Sequence, residues 1–427
     1  MITAIPWIGD ADLPGHWNRV PVKRFGSVTL GKMLQSEDKG NDSLAPYMRA
    51  ANVQPDGVID VSDVKSMWFS GSELDSLTLD RGDVVVVEGG IGGYGRAAFI
   101  RDENLAGWGF QNSINRVRPF HSNDGRYLTY VLIAARRLGY IAAYCNAVSM
   151  PHLTADKLAE FPIPLPPAGE QRSIADFLDR ETDQIDALIS KQEQLIEYLV
   201  ERRDAVIRNS IPEPGVSTWP TDKLGRWVSI TNGATPRRQE VRYWDGGDFP
   251  WLTSSVVNLP EVLEASQFVT RDALRECHLP IAGPGSLLVA LTGQGKTRAS
   301  VTILRIRATI NQHLACITPE ATRWNSDYLL WSLKSSYAKL RARSDESGAT
   351  RGALTVDALH RHPLVMPPLD EQSIIATQLY DQTAKIDSLM EKAQDLIALA
   401  RERRAALITD AVTGKIDVST GKVREGA

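Results

Sequence analysis

The chain repeats part of itself, and any fold proposed for it has to accommodate that repeat. Residues 153–207 align without a gap to residues 354–408 at a constant offset of 201, and 24 of the 55 positions are identical. Leu153-Thr154 matches Leu354-Thr355, Pro166-Pro167 matches Pro367-Pro368, and Glu170-Gln171 matches Glu371-Gln372. Ile185-Asp186 matches Ile386-Asp387, and Glu201-Arg202-Arg203 matches Glu402-Arg403-Arg404. Shared helical composition alone does not produce so many identities.

Both copies have the same anatomy. A proline-rich entry (162–167, 363–368) forbids helix just before it and suits a first helical turn after it. Glu170 and Glu371 then fall where a helix dipole favours negative charge. A long helix is predicted next. Its apolar stripe is Ile174, Leu178, Ile185, Leu188, Leu195, Leu199 and Val206 in the first copy. In the second it is Ile375, Leu379, Ile386, Leu389, Leu396, Ala400 and Leu407. Steps of three and four make a coiled-coil seam. Glu181, Gln192 and Arg202 interrupt the first seam, and Gln382 and Arg403 the second, as polar residues that fix register do. Pro212 stops the first helix and Gly414 is placed to cap the second. A helix of roughly 40 residues is about 60 Å long and cannot bury its stripe alone. Its own repeat is the obvious partner, giving an antiparallel rod with a globular region toward each end. The alternative is that the helices dimerise the protein.

The remaining sequence forms two blocks, so the chain reads as 1–152, helical 153–211, 212–353 and helical 354–427. The blocks share landmarks in the same order: Gly31-Lys32 and Gly233-Ala234-Thr235-Pro236, then Pro46-Tyr47 and Pro250-Trp251. A strand and a Gly-rich loop follow (84–95, 287–295), then Gln111-Asn112 and Asn311-Gln312. Each block ends in a helical stretch. Short β-rich runs between turn residues predict an α+β domain with a mixed or antiparallel sheet. The fold class expected is therefore two mixed α/β domains and two long helices in an antiparallel coiled coil, related by a pseudo-two-fold repeat.

Composition narrows the function. At 43% hydrophobic and 23% charged residues in 427, the chain has enough apolar sequence for real cores. No apolar run approaches the ~18 residues of a membrane span, and the N-terminus does not read as a secretory signal. Cys145, Cys277 and Cys316 are scattered, which predicts no disulfide framework or zinc ribbon and fits a reducing cytoplasm. The net charge of −4 is unevenly spread. Residues 212–362 carry 18 Lys+Arg against 14 Asp+Glu, and residues 1–150 carry 15 against 16. The helical stretches are acidic, with 6 against 10 in 163–211 and 8 against 10 in 363–427. The helices thus suit protein contacts better than DNA.

The motif Leu-Pro-Pro-x-x-Glu-Gln-x-x-Ile-Ala before a long helix, present twice with Leu or Met at its first position, resembles the conserved regions of Type I restriction–modification specificity subunits. So do Gly233-Ala234-Thr235-Pro236, Pro250-Trp251, Asn311-Gln312 and Thr413-Gly414-Lys415-Ile416-Asp417-Val418. The resemblance covers nearly the whole chain and is weakest over the first block, which lacks the Thr-Pro after Gly31. It implies that each block is a target-recognition domain reading one half of an asymmetric, interrupted double-stranded DNA site. The helices would be the spacer setting the gap between half-sites. Two adenine-N6 methyltransferase subunits would dock on the frame, with restriction subunits as further partners. S-adenosylmethionine would bind those methyltransferase subunits, leaving this chain without cofactor, metal or catalysis of its own. A coiled-coil adaptor joining two proteins without reading DNA is the alternative.

Two motifs suggest nucleotide binding. Residues 290–297 end in Gly295-Lys296-Thr297 like a P-loop, and Gly90 to Gly95 fit a dinucleotide fingerprint. Each requires a helix next, whose N-terminal amides hold phosphate, whereas 298–304 and 96–100 alternate like strands. Hairpin tips are expected instead. His360-x-His362 and Cys277-His278 are isolated pairs with an ordinary structural role expected. Candidate DNA contacts are polar and basic residues beside turns, since Arg pairs bidentately with guanine and Gln with adenine. They are Lys32, Lys39, Arg49 and Arg96 in the first block, and Arg237, Arg238, Arg242, Gln294, Lys296 and Arg298 in the second.

Overall fold

A computed structural model describes residues 13–90, 92–120, 122–145, 151–293, 295–345 and 352–424. The chain divides into two compact units. One combines the described residues up to Gln192 with those from Asp395 onward, and the other is Glu193–Gln394. The long helices Ala168–Ser210 and Leu369–Val412 each begin in one unit and end in the other.

In the first unit, Gly26–Leu30, Ile114–Pro119, Val84–Val87 and Ala97–Phe99 form an antiparallel sheet in that order. All four valines of Val84–Val87 are buried, as a central strand covered on both faces must be. Val84 and Val86 face the helix Gly125–Arg137 and its core. Val85 and Val87 face a second core with Met48 and Phe110 from a smaller sheet. That sheet pairs Ser43–Met48 antiparallel with Lys65–Phe69 and parallel with Gly109–Phe110.

The second unit repeats this plan. Val228–Asn232, Leu314–Pro319, Leu287–Ala290, Val301–Leu304 and the added parallel Glu261–Val262 form its larger sheet. Phe249–Leu252 pairs antiparallel with Phe268–Val269 and parallel with Thr309–Ile310. Helix Ser326–Ser335 takes the place of Gly125–Arg137.

The repeated motif has a mechanical explanation. Its Gln side chain is buried and joins the helix entry to the globular block of its own unit. Gln171 donates to Pro166 O (2.9 Å) and Asn123 Oδ1 (3.1 Å), and accepts from Asp124 N (3.0 Å). Gln372 donates to Pro367 O (2.7 Å) and Arg323 O (2.9 Å), and accepts from Asn325 N (2.8 Å). Asp124 and Asn325 are the N-caps of the two domain helices. From those helices Tyr127 and Tyr328 donate to the proline-rich entries, at Pro164 O and Val365 O, 3.1 Å each. The entries are strands, Pro162–Leu165 with Asn18–Pro21 and Pro363–Val365 with Thr221–Lys223.

In each unit the start of one long helix runs antiparallel to the end of the other. Arg404 bonds Asp186 at 3.0 Å in the first unit, and Arg203 bonds Asp387 at 2.8 Å in the second. The two pairs are related by the offset of 201. The seam differs from the predicted one. Its inward-facing positions are Leu178, Thr182, Ile185, Ile189, Gln192, Ile196, Leu199 and Arg203, a strict alternation of four and three. The second helix repeats this with Leu379, Thr383, Ile386, Met390, Ala393, Ile397, Ala400 and Arg404. Ile174, Leu178, Ile185, Leu199, Leu379 and Ile386 are buried, while Ile375 and Leu407 are partly buried against the cores. Leu188, Leu195, Leu389 and Leu396, however, are 38–50% exposed. Each stands one residue before the seam, so following leucines alone rotates the stripe by about 100° there. The same slip misassigns the polar interruptions. Thr182 and Thr383 replace Glu181 and Gln382, and Arg203 and Arg404 replace Arg202 and Arg403. Each threonine hydroxyl donates to the carbonyl four residues back.

Gly414 has φ 75° and the turn beyond it sends the tail back across its own unit. Arg424 then reaches Glu170 at 3.2 Å, as do His16 and Trp17 at 2.8 and 3.0 Å. Burial alone would raise the Glu170 pKa, but these three donors hold it below the ordinary value.

Candidate nucleic-acid interface

At one edge of each unit three segments converge on a single backbone crossing. In the second unit, Gly233 passes so close to residues 310 and 311 that a Cβ would lie 1.9 Å from Ile310 O. Only glycine fits such an approach. Ala234 N donates to Ile310 O (3.1 Å), Trp251 Nε1 to Ala234 O (3.1 Å) and Asn311 N to Leu252 O (2.9 Å). Leu291 N donates to His313 O at 2.9 Å, bringing in the Gly-rich tip. The four sequence landmarks of the second block are therefore parts of one platform.

The first unit builds the same crossing. A Cβ on Gly31 would lie 2.3 Å from Gln111 O. Lys32 N donates to Phe110 O (3.0 Å), Asn112 N to Lys32 O (2.8 Å), Gln111 N to Met48 O (2.9 Å) and Glu88 N to Ser113 O (2.9 Å). Both Gly-rich segments join antiparallel strands. The strands after them exclude the P-loop and dinucleotide geometries, which need a helix there.

The side chains on the two platforms differ. In the second unit Thr235 donates to Gln312, Thr292 Oγ1 lies 2.9 Å from His313 Nδ1, and Gln312 Nε2 lies 3.3 Å from His313 Nε2. Beside this polar cluster, Arg238 is exposed with its guanidinium 4.1 Å from the Trp244 ring centroid and 5.1 Å from that of Trp251. It also donates to Gln267 at 3.0 Å. The rings fix the planar fork while leaving it open to solvent. Arg237 and Lys296 are exposed nearby in sequence. Arg242 is exposed but paired with Glu240 and Glu276. Gln294 lies outside the described residues.

Arg298 and Lys32 are placed differently from the expectation of turn-side contacts. Arg298 is turned inward, 8% exposed, and paired with Asp345. Lys32 is drawn under the first platform by Glu73 and Gln35, with its ammonium 5.5 Å from the Phe69 centroid. Its hydrogen bond, with that of Ser70 N, lowers the Glu73 pKa to about 2. Both cations satisfy acids of their own unit, which is the favourable arrangement where solvent is excluded. Arg49 is paired with Asp63, and Arg96 donates to Gly92 O at 3.3 Å. Lys39 is exposed. The sequence reading passed over Thr235, Gln267, Thr292, Gln312 and His313. Thr235 and Gln312 had a signal, as members of the Gly233-Ala234-Thr235-Pro236 and Asn311-Gln312 landmarks, and Thr292 lay in the 290–297 motif.

The Type I restriction modification DNA specificity domain matches this chain twice, at residues 14–198 and 217–397. The chain belongs to that family. It is 22% identical over 341 residues to the specificity subunit of the Type I restriction enzyme MjaIX from Methanocaldococcus jannaschii, covering 76% of each chain. It is 18% identical over 426 residues to the StySPI specificity subunit from Salmonella potsdam, covering 95% of this chain and 90% of that one. A solved structure described as showing complex assembly and conformational transition of the Type I R-M system superposes with a TM-score of 0.76, at 17% identity. It covers 94% of this chain and 98% of that one. The HsdS subunit of Thermoanaerobacter tengcongensis gives 0.59 at the same identity and coverage. These specificity domains provide DNA sequence specificity in Type I restriction–modification. Among the described residues, no helix is long and apolar enough to cross a membrane.

Proposed function

We propose that each unit reads one half of an interrupted double-stranded DNA site and that the chain directs two adenine-N6 methyltransferase subunits there, doing no chemistry itself. The observation that carries this is the pair of platforms: one backbone crossing, built twice, bearing unrelated side chains. Such an arrangement keeps the geometry of presentation and changes what is recognised. Arg237, Arg238, Lys296, Gln312 and His313 are the contacts assigned to the second half-site, with Lys39, Arg49 and Arg96 beside the first. S-adenosylmethionine belongs on the methyltransferase subunits in this reading. Restriction subunits join the same complex, and the assembly works in the cytoplasm. The acidic, leucine-bearing outer faces of the long helices suit protein partners rather than phosphate.

The test is a methylome. The chain is co-expressed with an active methyltransferase subunit in a methylation-free host, and N6-methyladenine is mapped by long-read sequencing. A new interrupted motif that requires this chain is expected. Arg238→Ala should relax one half of the motif only, because a bidentate base contact is worth about 1–3 kcal/mol of discrimination. An identical methylation pattern without this chain would refute the proposal.

A further inference from the structure

The first platform carries apolar groups where the second carries a hydrogen-bonded cluster. The shared crossing fixes the correspondence. Lys32 N donates to Phe110 O as Ala234 N donates to Ile310 O, at 3.0 and 3.1 Å. Met33 therefore stands where Thr235 does, and Asn112 and Ser113 stand where Gln312 and His313 do. In the second unit Thr235 and His313 engage the Gln312 carboxamide. In the first, Met33 has no hydroxyl to offer, and the Ser113 hydroxyl is taken up by Ala50 N at 3.2 Å. No hydrogen bond of the Asn112 carboxamide falls among the described residues. Met33 is 74% exposed, and Leu34 is 56% exposed where the second unit buries Pro236. Lys32, the neighbouring cation, is paired with Glu73.

The carboxamide and the thioether start from adjoining points of the backbone. Asn112 N donates to Lys32 O at 2.8 Å, and Met33 is the next residue. The first platform thus offers a hydrogen-bonding fork beside an accessible apolar group.

We propose that Asn112 and Met33 together read one A·T pair in the major groove of the first half-site, Asn112 on the adenine and Met33, flanked by Leu34, on the thymine methyl. This rests on the function proposed for the platforms. Across that groove an A·T pair shows adenine N7, adenine N6–H, thymine O4 and the thymine C5-methyl, in that order. A carboxamide donates to N7 and accepts from N6–H at one end. The methyl at the other end is the one apolar group that any of the base pairs presents there, and an adaptable thioether matches it. A G·C pair sets a second acceptor, guanine O6, against the carboxamide oxygen and has no methyl. The order of the two side chains also fixes which strand carries the adenine.

The test is a methylation assay with the full chain assembled with methyltransferase subunits, on duplexes carrying the mapped motif. Thymines are replaced singly by uracil, which lacks only the methyl. Adenines are replaced singly by 7-deazaadenine, which lacks only the N7 acceptor. In one half-site a uracil should lower kcat/KM about fourfold, the worth of one buried methyl. At the adenine paired with it, 7-deazaadenine should lower kcat/KM about fivefold, the worth of one hydrogen bond. Met33→Ala should remove the uracil effect and keep the other, and Asn112→Ala should do the reverse, both at unchanged Tm. Indifference of every thymine to uracil, or sensitivities that survive both substitutions, would overturn the proposal and leave the platform reading standing. Loss of complex assembly in Met33→Ala would also overturn it, by assigning the apolar group to a protein contact. Absence of any motif that requires the chain would instead remove the platform reading, and this proposal with it.

Discussion

The two units solve one folding problem with different side chains. Both clip a domain helix to a proline-rich strand through a buried glutamine, and both thread a glycine under a turn to make a platform. They then diverge. The first unit fills its interior with Phe161, Tyr140 and Tyr144 and keeps Lys32 paired beneath its platform. The second puts His362 and Arg343 at the equivalent place and holds Arg238 in the open above two tryptophans. Positions bearing on backbone geometry are shared between the repeats, and positions free of that duty have diverged.

The shared crossings provide the severest test. Gly233→Ala and Gly31→Ala each place a Cβ against a carbonyl, where overpacking costs about 1–3 kcal/mol or more. Each should erase one half of the methylation motif and leave the other. A neutral Gly31→Ala would show that the first platform is not built like the second. The clips come next. Gln171→Ala and Gln372→Ala each orphan a buried helix-cap amide and should cost about 2 kcal/mol apiece, equal within error, by urea denaturation. Unequal losses would break the equivalence of the repeats.

The cross-helix arginines should separate the units. Arg404 is 9% exposed in its side chain and also approaches Asp56 at 3.7 Å. Arg203 is 31% exposed and pairs with Asp387. Arg404→Met should cost about 1 kcal/mol and Arg203→Met less, since Arg404 gives up contacts with two acids and the Asp56 carbonyl while the half-exposed acids left behind are solvated. The units should also differ in their response to pH. His362 is depressed to about 4 in the folded unit against an ordinary value of 6.5. The unfolded chain therefore binds the extra proton between those values, and stability should fall as pH drops from about 6.5 to 4. Arg343 and Lys339 both act in the same direction as burial, lowering the His362 pKa. His362→Phe should flatten this limb, measured as Tm against pH.

Much of this was legible in the sequence because the repeat is a covalent fact. The offset of 201 located both long helices, and the Pro-Pro and Glu-Gln pairs marked where they start. The landmarks Gly31 and Gln111 proved to be parts of the crossing in the first unit, and Gly233 and Asn311 of the matching crossing in the second. The seam was half legible. Ile174, Leu178, Ile185 and Leu199 read as buried, but Leu188 and Leu195 drew the stripe off Ile189 and Ile196. Hydrophobicity ranks Leu and Ile alike, and only a partner helix distinguishes adjacent apolar positions. Candidate contacts were the least legible. Lys32, Arg238 and Arg298 all read as a basic residue beside a turn.

The sequence by itself determined the repeat, the element order and the family, because these follow from local pattern and identity along the chain. Tertiary structure decided which cations are free. Glu73 and Asp345 lie 41 and 47 residues from Lys32 and Arg298, and Trp244 and Trp251 fix Arg238 from a loop and a strand. A side chain's availability depends on what the fold brings within about 4 Å of it, and sequence spacing does not record that distance.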